Sequence, residues 1–94
     1  MKTYVMKIQQ HTHSDAAKLI LYQNKAYEVI VQGEIYNAQS IYQLLKEAYP
    51  LQERLEDIVF FAYQRWGEDA MLELEGAYSF VISSGKDVFA AKDP

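Results

Sequence analysis

The sequence predicts an α+β domain with a largely antiparallel sheet. Two strand-like runs, Lys18–Tyr22 and Tyr27–Val31, sit early in the chain. A helical period then replaces the strand period after Gln32-Gly33-Glu34. Apolar runs return at Ala77–Ile82 and Asp87–Ala91, split by the turn-rich Ser83-Ser84-Gly85-Lys86. Strands, then two or three helices, then strands is the order of an α+β architecture.

Each element has its own local reason. Thr3–Ile8 alternates loosely, as a short strand does, and His11-Thr12-His13-Ser14-Asp15 is polar enough for a loop. Gln23-Asn24-Lys25 is a short polar link between two β-prone runs, so a hairpin is predicted there. Gln32-Gly33-Glu34 reads as a break that ends the second strand. Asn37 is placed to cap a helix, because its side-chain oxygen can accept from the unpaired N–H groups of the first turn. Ile41, Leu44, Leu45 and Ala48 then share one face, and Pro50 ends that helix or begins the next. Leu51, Leu55, Ile58, Val59, Ala62, Tyr63 and Trp66 keep a second stripe, with Glu53, Arg54, Asp57 and Gln64 mostly off it. Gly67 stands at the C-terminal cap. A short helix over Glu68–Leu74 that stops at Gly76 leads into the last two strands.

The bulk composition narrows the function. The chain has 94 residues, 50% of them apolar, which fits one small domain with a core. A net charge of −4 without any basic run argues against a sequence-independent nucleic-acid binder. With no cysteine, these residues supply no disulfide, thiolate zinc site or thiol nucleophile. No signal peptide and no membrane span are read, which points to the cytoplasm. His11 and His13 have no third ligand beside them, so no metal site is expected, and no cofactor. Tyr36, Tyr42, Tyr49, Tyr63 and Trp66 could stack on bases, but at helical spacing in an acidic chain they are read as core and interface.

Four stretches, taken together and in register, carry a resemblance. They are Gln32-Gly33-Glu34-Ile35-Tyr36-Asn37; Trp66-Gly67-Glu68-Asp69; Leu74-Glu75-Gly76-Ala77-Tyr78-Ser79-Phe80; and Lys92-Asp93-Pro94. From Tyr27 to Pro94 the chain resembles the class II, N-terminal-nucleophile type of glutamine amidotransferase domain, in its asparagine-synthetase branch. Gly76-Ala77-Tyr78-Ser79 is closer to the amidophosphoribosyltransferase branch, so the subfamily stays open. The resemblance implies a layered α-β-β-α sandwich, incomplete here, over a single truncated domain, residues 1–94. It also implies a chemistry. In such enzymes an N-terminal cysteine attacks the glutamine side-chain amide with its own α-amine as base. An asparagine side chain and the following glycine N–H stabilise the oxyanion, and the next acidic residue helps to bind glutamine. Transferred by position, Gln32, Gly33, Glu34 and Asn37 are the candidate substrate-binding residues.

The departures from the family pattern matter as much. The chain begins Met1-Lys2-Thr3, and no nucleophile is assigned, so no catalytic residue is expected. Gln32 replaces the asparagine and adds a methylene, which moves the donor by about an ångström, enough to cost ~100-fold in rate. The family's substrate-binding aspartate before the second helix maps near Arg54-Leu55-Glu56-Asp57, with Leu55 in its place. Thr12-His13-Ser14-Asp15 imitates that motif but lies on the wrong side of Gly33-Glu34. The expectation is a catalytically inactive, glutamine amidotransferase-like chain with a binding or regulatory role. It is expected to self-associate or to dock onto a related chain. Two alternatives stay open: a fragment or split subunit completed by another chain, and a small-molecule module with an amino-acid ligand.

Overall fold

The computed structural model describes residues 17–92. The strand expected at Thr3–Ile8, the His11–Asp15 loop and the Asp93-Pro94 end lie outside them. Strands β1 (Ala17–Tyr22) and β2 (Lys25–Ile35) precede helices α1 (Ala38–Leu45), α2 (Leu55–Trp66) and α3 (Ala70–Glu73). Strands β3 (Gly76–Ser84) and β4 (Asp87–Lys92) follow. The strands form one antiparallel sheet in the order β1-β2-β3-β4. This is the α+β arrangement that the sequence predicts.

The β1–β2 link is a two-residue turn in which Gln23 and Asn24 both take positive φ, 52° and 65°. That geometry is the type I′ turn, whose twist matches that of the flanking strands. Side chains then alternate between the faces of the sheet. On one face lie Ile20, Tyr27, Val29, Phe80, Ile82 and Phe89, and the helices cover them. Helix α2 presses into this face. Phe60 meets Tyr22 and Tyr27 at centroid distances of 5.8 and 4.8 Å, and Phe61 meets Tyr22 edge-on at 5.1 Å. Tyr49, from the connection after α1, closes over Phe61 at 5.3 Å. Six consecutive residues, Asp57–Ala62, are therefore buried. Edge-on and offset ring pairs add to the area that such aromatics bury.

Three local expectations change. Asn37 does precede α1, yet its side chain makes no cap hydrogen bond. Only Ile41 and Leu45 of α1 are buried; Leu44 is exposed and Ala48 lies in the turn beyond the helix, because α1 is barely two turns long. Helix α2 starts at Leu55 rather than Leu51. Arg54 is extended (φ −148°, ψ 154°) at its N-cap, and Gln52 N–H donates to Asp57 Oδ2 at 2.9 Å. Leu51 remains buried from the connecting segment.

The other face of the sheet has no helix on it among the described residues. Leu19, Leu21 and Val88 there are 62%, 74% and 46% exposed, with Ile30 and Val81 half-buried between them.

Candidate functional site

Gln32, Gly33 and Glu34 do not form the break that their composition suggests. They continue β2, paired with Ser79, Tyr78 and Ala77 of β3. What the glycine provides is closeness. Gly33 has φ +94°, and a Cβ there would collide with the Ala77 carbonyl oxygen and lie 2.9 Å from Tyr78 Cα. Gly76 faces Ile35 on the opposite strand with φ +147°, and its Cβ would strike the Glu34 carbonyl oxygen. Each glycine thus leaves room for a carbonyl of the other strand. The sequence predicts Gly76 as the stop of the short helix; it is instead the first residue of β3 and the counterpart of Gly33.

Beyond the last pair the two segments stay joined. Tyr36 N–H donates to Glu75 O at 2.6 Å. The Asn37 side chain bridges the same stretch: Nδ2 donates to Glu73 O at 2.8 Å, and Oδ1 accepts from Glu75 N–H at 2.9 Å. This engagement is why Asn37 does not cap α1. Its amide fits one donor and one acceptor at the end of α3, two backbone groups that would otherwise rely on water. Tyr78 completes the junction from the core side, its hydroxyl donating to Leu74 O at 3.3 Å.

The four sequence-nominated residues are therefore brought together, but with two kinds of role. Gly33 and Asn37 hold β2 to the segment that enters β3. Gln32 and Glu34 are exposed, and they alternate with Gly33 onto the sheet face that no described helix covers. Their side chains make no hydrogen bond or ion pair among the described residues. Leu55, at the position matched to the family's aspartate, is a half-buried first residue of α2 packed against the core.

Asp57, which the helical period places mostly off the apolar stripe, is nonetheless buried. Besides the Gln52 N–H it accepts a hydrogen bond from Arg54 Nε, so its carboxylate anchors the connection onto the first turn of α2. An acidic residue in a first helical turn after a polar segment was the available signal. Among the described residues no group of three or more His, Cys, Asp or Glu converges to hold a metal. No described helix is long and apolar enough to cross a membrane.

Residues 5–94 match the glutamine amidotransferase domain family. The chain belongs to that family. Over 76 residues it is 30% identical to asparagine synthetase [glutamine-hydrolyzing] 3 of Bacillus subtilis (strain 168), an alignment that covers 77% of this chain and 12% of that protein. Its fold resembles the glutamine phosphoribosylpyrophosphate amidotransferase of B. subtilis, solved with ADP and GMP, with a TM-score of 0.70 and 23% identity over 82% of this chain and 19% of that one. The chain thus spans under a fifth of either relative. Both branches suggested by the motifs are represented, and the fold is that of the N-terminal-nucleophile amidotransferases.

Proposed function

We propose that this glutamine amidotransferase-like chain acts as a non-catalytic module that associates with another polypeptide, first of all a second copy of itself. The observation that carries this reading is the sheet face of Leu19, Leu21, Ile30, Val81 and Val88. Its exposed apolar side chains flank Glu28 and Ser83, it has no helix among the described residues, and it runs up to Gln32 and Glu34 at one end. Large apolar side chains clustered on an exposed face mark interaction surfaces. The resemblance adds that the family's sandwich lays a second sheet against the first. The absence of cysteine from the 94 residues means that they supply no thiol for glutamine attack. A cytoplasmic setting suits such a module.

Light scattering on the purified chain tests the proposal. A mass of twice 10.9 kDa or more is expected, shifting to 10.9 kDa in Leu21→Lys while helical content is kept. A wild-type monomer at high micromolar concentration overturns self-association. Ammonia release from glutamine overturns the non-catalytic reading.

A second reading is favoured by the Gln32 and Glu34 side chains, exposed and without a partner among the described residues: an amino-acid ligand held where the family holds glutamine. Calorimetry with glutamine tests it, with Gln32→Ala and Glu34→Ala as controls. Saturable heat lost in both supports this reading; no heat at millimolar glutamine removes it. A third reading, a split subunit completed by a longer relative, is supported by the small share of each relative that the chain spans. Co-purification with a co-expressed partner that converts the assembly to a 1:1 heteromer would support it over self-association.

A further inference from the structure

The opposite end of the sheet holds a cleft that the family resemblance does not involve. It lies where the C-terminal half of α2 passes the β1–β2 and β3–β4 hairpin tips, and its volume is about 250 Å³. Ile82 and Phe89, neighbours across β3 and β4, line its apolar part. Tyr63 of α2 closes one side, its ring 4.4 Å from that of Phe89 and tilted by 30°. The charged and amide lining is Lys25, Gln64 and Asp87, with Ser84 beside them. Lys25 stands at the start of β2 with its Nζ 5.8 Å from the centre of the Tyr27 ring, and Asp87 stands at the start of β4 beside Ser84. Among the described residues neither charge has an ion-pair partner.

We propose that this cleft binds a small zwitterion with an apolar or aromatic body, the chemical class of the free apolar α-amino acids. The arrangement supports this. Strands β2 and β4 flank β3, two strand spacings or about 10 Å apart where all three are paired; Lys25 lies three residues before the first β2–β3 pair, Glu28–Ser83, so its backbone stands farther than that from Asp87. The long, exposed Lys25 side chain and the Asp87 carboxylate both line the cleft on the same face of the sheet, so an α-amino-acid headgroup about 3 Å across, with a hydrogen bond of about 2.8 Å at each end, can be reached from both strands. Lys25 takes the carboxylate, Asp87 takes the ammonium, and the apolar body lies on Phe89, Ile82 and Tyr63. A ligand with only one charge leaves one pole of the cleft unused. Both poles are exposed, so each contributes modestly and the affinity is in the millimolar range.

The test uses the whole chain, uniformly 15N-labelled, titrated with L-phenylalanine, phenylacetate and phenethylamine. The first should produce saturable amide shifts at Lys25, Tyr27, Ser84 and Asp87, with the two single-charge analogues each about fivefold weaker. Lys25→Met should bring L-phenylalanine down to the level of phenethylamine, and Asp87→Asn down to that of phenylacetate. Both substitutions are at exposed positions, and unchanged spectra elsewhere verify the fold. Equal binding of all three probes, or shifts insensitive to both substitutions, overturns the proposal. So does the absence of saturation at tens of millimolar. Shifts confined to Gln32–Glu34 would instead report the glutamine-site reading and overturn this one, because the two sites lie at opposite ends of β2.

Discussion

At the Gly33 end of β2 the neighbouring backbones leave no room for a side chain, whereas at the Lys25 end the hairpin tips stand apart around an open cleft. The same two strands, β2 and β3, run through both regions. At the first end, Gly33 and Gly76 each accept a carbonyl oxygen of the other strand where a Cβ would sit, and Asn37 clips the exit of the ladder to Glu73 and Glu75. At the second, Gly85 also has positive φ, 60°, but a Cβ there would meet nothing within 4 Å. Positive φ alone does not make a glycine indispensable. The wall behind it does, and here that wall is main chain, which cannot rotate away as a side chain can.

Substitutions can break this contrast, and the largest effect is expected at the tight end. Gly33→Ala combines a backbone collision with a disfavoured φ. It should cost about 4 kcal/mol, a large share of a small domain's stability. Urea unfolding measures it, and a loss below about 1 kcal/mol would show that β2 and β3 can separate freely at this point. Asp57→Ala, away from either end, should cost about 2 kcal/mol, since it strands the Gln52 N–H and removes the Arg54 contact. The loss should be largely retained in Asp57→Asn if the charge matters, and largely recovered if only the hydrogen bonds do. Asn37→Ala removes two hydrogen bonds in an exposed setting and should cost about 1 kcal/mol. Hydrogen exchange should quicken at Glu75 and Tyr36 in that variant, with the start of α1 unchanged; a faster α1 terminus would mean that Asn37 caps the helix after all. Gly85→Ala should cost about 1 kcal/mol, the penalty of the left-handed region without a collision, so its ratio to Gly33→Ala isolates the contribution of the wall. The smallest effect belongs to the β1–β2 turn. Asn24→Gly improves a type I′ turn and should stabilise by about 0.5 kcal/mol, raising the thermal midpoint without altering the association state.

Much of the architecture was legible along the chain. The hairpin around Gln23-Asn24, the stripe of α2, the Gly67 terminator and the β3–β4 pair all follow from local period and turn chemistry. The misreadings share a cause. Gln32-Gly33-Glu34 looked like a break because glycine interrupts apolar alternation, and only the partner strand shows that Gly33 is required inside the ladder. Asn37 looked like a cap because its position before a helix favours that bond, yet a better-matched donor and acceptor arrive from residues more than thirty positions later. Asp57 falls off the apolar stripe because helical period tracks side-chain polarity alone, whereas its burial comes from Gln52 N–H and Arg54 Nε closing on its carboxylate, for which its place in the first helical turn is the one local signal.

By itself, then, the sequence determined the class of the fold, the order of its elements and, through four short motifs, the family. Those properties are written in spacing of a few residues, where side-chain period and backbone propensity act. The tertiary structure alone decided which residues of the motif hold strands together and which stand free among the described residues, that Gly33 and Gly76 answer one another across the sheet, and that no described helix covers the face of Leu19, Leu21 and Val88. Those outcomes depend on contacts between segments distant in sequence, where the space left by one strand sets what the other can carry.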